Sequence, residues 1–200
     1  MKRIFFTGVP GSRWSGIAQI IEDNVPGFNT TDRDAEKEYS HHAFTGHKGA
    51  YFGTGMEFEA YLDNPEYLDR PWKEPGGTRL IKSHDWATML DQIQEKYPDD
   101  SIMLVYRPDM TSYAWWHEAG GFQIKYPDYR AYKDSTTMLA HIMEQNKCIL
   151  KFARKHNAVW HHFGRDFVYK YFNVKIEEVD NRYEDCLVSI IGNHASNTVN

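Results

Sequence analysis

The chain is poor in the features that would place it outside the ordinary globular class. It has only two cysteines in 200 residues, Cys148 and Cys186, in no metal-like spacing. They read as reduced thiols in a cytoplasmic protein. No segment approaches the roughly 20 apolar residues that span a bilayer. The apolar run after Met1-Lys2-Arg3 is too short for a signal peptide, so a cytoplasmic chain with no membrane partner is expected. Positive charge is in deficit, with 23 Lys and Arg against 28 Asp and Glu and a net charge of −5. That argues against nucleic acid, which wants a basic face. Internal repeats and low-complexity tracts are absent. The histidine groups His41, His42, His47 and His156, His161, His162 lack a zinc pattern such as H-E-x-x-H, so they read as surface or core residues and no metal is expected.

What is present suits one domain over residues 1–200. The chain is 41% hydrophobic and 26% charged, enough to bury a core. Aromatics reach 15%, with 13 Tyr, 11 Phe and 6 Trp, which favours ring-lined pockets or simply a ring-filled core.

Strands and helices alternate. Residues 3–7 read as a strand and 12–23 as a helix. Residues 79–83 and 102–106 are further strands; the second is apolar throughout, as in a strand buried on both faces. Residues 86–97, 109–118, 135–156 and 166–172 read as helices, and 158–163 as another strand. In the 135–156 helix, Leu139, Ile142, Met143, Ile149, Leu150 and Ala153 recur at helical spacing and read as core. Residues 174–200 carry no clear pattern. Residues 25–77 are long, aromatic and rich in Gly and Pro, with a possible helix over 57–68. They read as a lid or substrate-facing insertion, or as an irregular part of the core. The expected fold is α/β: three layers, a mostly parallel sheet and helices on both faces.

Ligands of such sheets bind beyond the carboxyl ends of the strands. Three places lie there. The first is Thr7-Gly8-Val9-Pro10-Gly11-Ser12-Arg13-Trp14-Ser15-Gly16, a strand breaking into a tight loop and then a helix. Its backbone N–H groups, beside a helix dipole, are expected to bind an anion; the alternative is an ordinary Gly-Pro turn with a helix N-cap at Ser12. A Walker A loop would carry Lys after its second Gly; here the only cation is Arg13, whose planar fork suits a tetrahedral oxyanion. The second place is Lys82-Ser83-His84, and the third is Arg107. A nucleotide kinase wants a carboxylate and Mg²⁺ at such a strand end. Cations converge here instead, while Asp85 and Asp109 fall where helix caps are expected. Such a site suits sulfuryl transfer, with Lys and Arg stabilising charge on oxygen and His as the base.

These residues resemble the sulfotransferases that use 3′-phosphoadenosine 5′-phosphosulfate. Gly8-Val9-Pro10-Gly11-Ser12-Arg13 looks like their phosphosulfate loop, Lys82-Ser83-His84 like their Lys-x-His, and Leu104-Val105-Tyr106-Arg107-Pro108 with Ser112 like their 3′-phosphate motif. The resemblance implies a P-loop-like architecture with an irregular insertion. It makes His84 the general base and Lys82 the group that stabilises the bridging oxygen. Gly8, Pro10, Gly11, Ser12, Arg13, Trp14 and Ser15 would surround the donor's phosphosulfate and adenine, and Arg107 and Ser112 would hold its 3′-phosphate. Trp14 or Trp86 would stack on adenine or else fill the core. The acceptor would be a small molecule or glycan. The chain departs from the family in lacking the loop Lys, in a short Arg107-to-Ser112 spacing that leaves Thr111 or Tyr113 as alternatives, and in lacking a C-terminal Arg-Lys-Gly. Arg182-Tyr183-Glu184-Asp185 looks like a tetrapeptide common in the family. The competing readings are a nucleotide or nucleoside kinase with a degenerate loop and a non-catalytic nucleotide-binding protein of the same fold.

Overall fold

The computed structural model describes residues 2–31, 49–53, 58–123 and 130–192, apart from the side chains of Arg130 and Tyr132. His41, His42, His47, most of the aromatic insertion's first half and the last eight residues lie outside that set.

Strand β1 (Lys2–Gly8) pairs in parallel with β2 (Thr78–Lys82) on one side and β3 (Ser101–Tyr106) on the other. β5 (Leu187–Ile191) lies antiparallel to β3, and the short β4 (His161–His162) lies antiparallel to β5. The order is β2-β1-β3-β5-β4. The architecture is thus α/β with a mixed, mostly parallel open sheet of five strands.

Alternation along β1 divides the core between the two faces, as a pleated strand requires. Ile4 and Phe6 face α1 (Trp14–Asn24) and its neighbours Ile17, Ile21, Phe167 and Val168. Phe5 faces the opposite side, with Ile81, Ile93, Trp116, Ile142 and Ile149. The remaining helices are α2 (Pro65–Asp69), α3 (Leu90–Lys96), α4 (Asp109–Glu118), α5 (Ser135–Lys155) and α6 (Arg165–Phe172).

Four expectations are corrected. β5, in a stretch with no clear pattern, is an antiparallel strand inserted between β3 and β4. The expected 86–97 helix is a 3₁₀ turn, Asp85–Thr88, followed by α3. Trp86 explains the break: it is fully buried and its indole N–H donates to the Ile81 carbonyl at 2.8 Å, holding the turn against the strand it has just left. The 158–163 strand shrinks to two residues. In the insertion the described helix is only α2, started by Asn64, whose side chain accepts from the Tyr67 N–H.

Several described residues of the insertion are buried in the core, while others, such as Tyr61 and Glu66, are exposed. Tyr51 bridges Lys82 and Phe28 bridges Thr78, extending the β2 edge, with Phe52 N–H on the Lys82 carbonyl at 2.8 Å. Phe52, Phe58, Leu62, Leu68 and Trp72 are buried against the Phe5 face. At the amino edge of the sheet Arg3 pairs with Asp69 at 2.6 Å and Asp100 at 3.1 Å, and Arg79 pairs with Asp69 at 2.9 Å, fixing α2 to the strands.

The buried stripe of α5 is Met138, Ile142, Gln145, Asn146, Ile149, Phe152 and Ala153. Met143, expected in the core, is half exposed, and two amides take its place. The stripe is turned toward the carboxyl edge, where those amides find work.

The loop after β1 is packed tightly. Gly11 has φ +79°, and a Cβ there would fall 1.8 Å from the Ser112 carbonyl oxygen. Gly27 has φ +89° with nothing within 4 Å of such a Cβ. Gly27→Ala should therefore cost only the left-handed strain of about 1 kcal/mol. Gly11→Ala should cost roughly 3 kcal/mol, strain plus overpacking. Urea unfolding of both variants checks the difference, and equal losses would contradict the close approach.

Candidate functional site

Parallel pairing places the carboxyl ends of β1, β2 and β3 side by side, with Phe6 opposite Lys82 and Gly8 opposite Val105. The loop turns at Gly11, and the Ser12 N–H returns to the Val9 carbonyl at 3.0 Å. Arg13, with φ +63°, is the residue before α1, so the helix starts at Trp14 and not at residue 12. The Arg13 side chain does not cap the helix and its first turn holds no acid, so the positive end of the α1 dipole is left uncompensated by this segment. Ser12 is fully buried and its hydroxyl has no hydrogen-bond partner among the described residues. Gly8 is needed beneath it, because a Cβ there would come 2.6 Å from Ser12 Oγ and 2.7 Å from Trp14 Cβ.

Arg13 lays its guanidinium over the Trp115 ring, 3.7 Å from the centroid, and stands 5.9 Å from the Tyr183 ring. Its Nε is buried without a partner. Burial first, and then the neighbouring Arg107 charge, lower its pKa from the usual arginine value. Two guanidiniums thus share one edge.

Arg107 follows β3 and is itself buried, 6% exposed. Nε and Nη2 grip the Asp185 carboxylate at 2.9 and 2.7 Å, and Nη1 donates to the Gly11 carbonyl at 3.1 Å. The Ser112 hydroxyl is fully buried and donates to the Arg107 carbonyl at 3.2 Å. Arg107 can therefore take a phosphate only by exchanging it for Asp185, and Ser112 presents no surface to one.

His84 stands at the end of β2, a sixth of its side chain exposed. Its Nδ1 lies 3.2 Å from Asp85 Oδ1 and 3.2 Å from Gln145 Nε2. Its ring meets those of His141 and Trp14 edge-on, at 5.9 and 6.5 Å. The edge-on contact with Trp14 brings β2's end against the start of α1, so His84 lies beside the loop that follows β1. Trp14 itself is mostly buried against Phe6 and Tyr51, and Trp86 is core.

Lys82 is placed differently. It is 2% exposed, pairs with Glu22 at 3.0 Å and lies over the Tyr51 ring. Glu22 sits about 12 Å along the α1 axis from Trp14, so its carboxylate holds Lys82 on the α1 face rather than at the loop.

Asp109 is the first residue of α4 and accepts from Asn146 Nδ2 at 2.6 Å, while the same Nδ2 donates to the Arg107 carbonyl at 2.9 Å. Sequence reasoning missed Asn146, Gln145, His141, Trp115 and, as a partner for Arg107, Asp185. For the amides a signal existed: polar residues at 145 and 146 interrupt the apolar stripe between Ile142 and Ile149. Tyr183 and Asp185 belong to the tetrapeptide already noted. They reach the site because β5 runs backwards, bringing its entry to the carboxyl edge. Cys186 Sγ contacts the Ser12 carbonyl at 3.5 Å, and burial pushes the thiol up to about 12. His117, near Trp116 and Phe122, bonds Tyr113 at 3.1 Å and serves packing.

Among the described residues no group of three or more His, Cys, Asp or Glu is arranged to hold a metal ion, and no helix is long and apolar enough to cross a membrane. Comparison with protein-family models, with curated proteins and with solved structures finds no match.

Burial, and then His84, bring His141 down to about 4. In the unfolded chain it takes its proton near 6.5. Between those values the unfolded state binds the extra proton, so this stabilisation is complete above pH 6.5 and is lost as pH falls toward 4. The loss amounts to about 3 kcal/mol. His141→Gln should flatten the fall in stability across that window, read by urea unfolding at pH 4.5 and 7. An unchanged pH dependence would rule out a neutral buried His141.

Proposed function

We propose that this chain is a sulfotransferase that moves a sulfuryl group from 3′-phosphoadenosine 5′-phosphosulfate to a hydroxyl or amine of a small-molecule or glycan acceptor. One observation carries the reading: the loop edge is short of negative charge. Arg13 and Arg107 stand beside an uncapped helix start, with the partnerless Ser12 hydroxyl beneath and Asp185 as the one carboxylate hydrogen-bonded to either guanidinium among the described residues. A phosphosulfate fits that deficit through the first-turn N–H groups, Ser12 and Arg13.

The donor, when bound, supplies an activated sulfuryl group. The chain's own part is positional and electrostatic. Arg13 holds charge on oxygen at the loop, in the role the resemblance gave to Lys82, because Lys82 is committed to Glu22. His84 takes the proton of the acceptor. Arg107 meets the 3′-phosphate by giving up Asp185, and Trp115 keeps Arg13 stacked in place. Holding donor and acceptor in line removes much of the entropic barrier.

Calorimetry with 3′-phosphoadenosine 5′-phosphate tests the reading, with AMP and Mg²⁺–ATP as controls. Binding should need the 3′-phosphate. Arg13→Asn, which tolerates the left-handed backbone, should weaken it by about tenfold or more, roughly 1.4 kcal/mol. His84→Ala should leave it unchanged while abolishing transfer. Preference for Mg²⁺–ATP would replace the reading with a kinase, and binding without transfer to any acceptor would replace it with a non-catalytic nucleotide-binding protein.

A further inference from the structure

The sequence reading treats Asp85 as a helix cap, but its side chain does something else. The 3₁₀ turn that it opens is started from outside, by Ser83, whose hydroxyl accepts the Asp85 N–H at 3.0 Å. The Asp85 carboxylate is then turned to the imidazole one residue back, with Oδ1 at 3.2 Å from His84 Nδ1. The other oxygen lies over Gly53. This glycine has φ +151°, and a Cβ there would come 3.0 Å from Asp85 Oδ2 and 3.4 Å from Ser83 Oγ. A side chain at position 53 would press on the carboxylate, so backbone from the insertion makes room for it. Asp85 is one-fifth exposed and is held on two sides.

We propose that Asp85 is a positioning residue for His84: it fixes the proton on Nδ1 and leaves the Nε2 lone pair as the base. The inference rests on the assignment of His84 as the base of the transfer. An ionised carboxylate only accepts hydrogen bonds. A lone pair on Nδ1 would face it at 3.2 Å with nothing shared, whereas Nδ1–H gives a charge-assisted bond, about twice as strong as a neutral one. Gln145 brings its amide to the same nitrogen, and its Oε1 has no partner. A half-turn of that amide offers Oε1 to the same Nδ1–H. The ring is then held from α5 as well as from its own turn, with the edges of Trp14 and His141 fixing its plane. Orientation of an imidazole through Nδ1 is how a carboxylate prepares the distal nitrogen for proton transfer.

Long-range ¹H–¹⁵N correlation on histidine-labelled protein at pH 8 tests this directly. The His84 signal is assigned by its loss in His84→Gln. In the wild type, Nδ1 should be the protonated nitrogen and Nε2 the bare one. In Asp85→Ala the dominant form should revert to the Nε2-protonated tautomer. A wild-type His84 with its proton on Nε2, accepting from Gln145, overturns the proposal without any variant, so a failure of Asp85→Ala to fold leaves it testable. Persistence of Nδ1–H in a folded Asp85→Ala also overturns it. Neither readout needs donor or acceptor. Loss of nucleotide binding would therefore sink the transferase reading alone, and a wrong tautomer would sink the Asp85 role alone.

Discussion

Much of this molecule's carboxyl edge depends on where one guanidinium is spent. Arg107, buried at the end of β3, holds the Gly11 carbonyl of the first loop and the Asp185 carboxylate ahead of the last strand. Its own carbonyl receives Ser112 and Asn146. Loop, strand, α4, α5 and the chain's final strand are registered through one residue. A buried arginine without its acceptors would be costly, so the loop has little freedom to open, and the uncapped start of α1 stays aimed at a fixed point.

The two ends of the sheet make an instructive contrast. At the amino edge two arginines, Arg3 and Arg79, meet two aspartates, Asp69 and Asp100, in a closed network. At the carboxyl edge, among the described residues, Asp185 is the one carboxylate paired with Arg13 or Arg107, and its partner is Arg107. Arg13 is left to stack on Trp115, which supports a cation but does not neutralise it. Similar side chains thus lock the fold at one end and leave an electrostatic vacancy at the other. The difference lies in carboxylate placement, not in net charge, which is −5 for the whole chain.

Much of the fold was legible because local signals agree with the tertiary outcome. The apolar run at 102–106, the Gly-Pro break after β1 and the capped helix from Asp134 each carry their own structure. The failures have physical causes. The 86–97 helix broke because Trp86 found a strand carbonyl. β5 was hidden because five residues of apolar chain in a polar tail give no periodicity to read. The carboxyl edge was legible where it follows strand ends, at Gly11, Arg13, His84 and Arg107. It was illegible where partners come from far along the chain: Glu22 drawing Lys82 away, Asp185 taking up Arg107, Gln145 reaching His84. Pairings of that kind are decided by packing, and no spacing rule announces them.

The antiparallel β5 sits between β3 and β4 although it follows both in the sequence. The sheet is therefore continuous only with residues 187–191 in place, because without them the β3 backbone is unpaired on that side. Asp185 lies just ahead of them. The carboxylate that Arg107 grips and the Gly11 carbonyl that it holds are thus supplied from opposite ends of the described chain. A chain lacking β5 would expose the backbone of β3 as an open strand edge, the kind of surface that neighbouring chains invade.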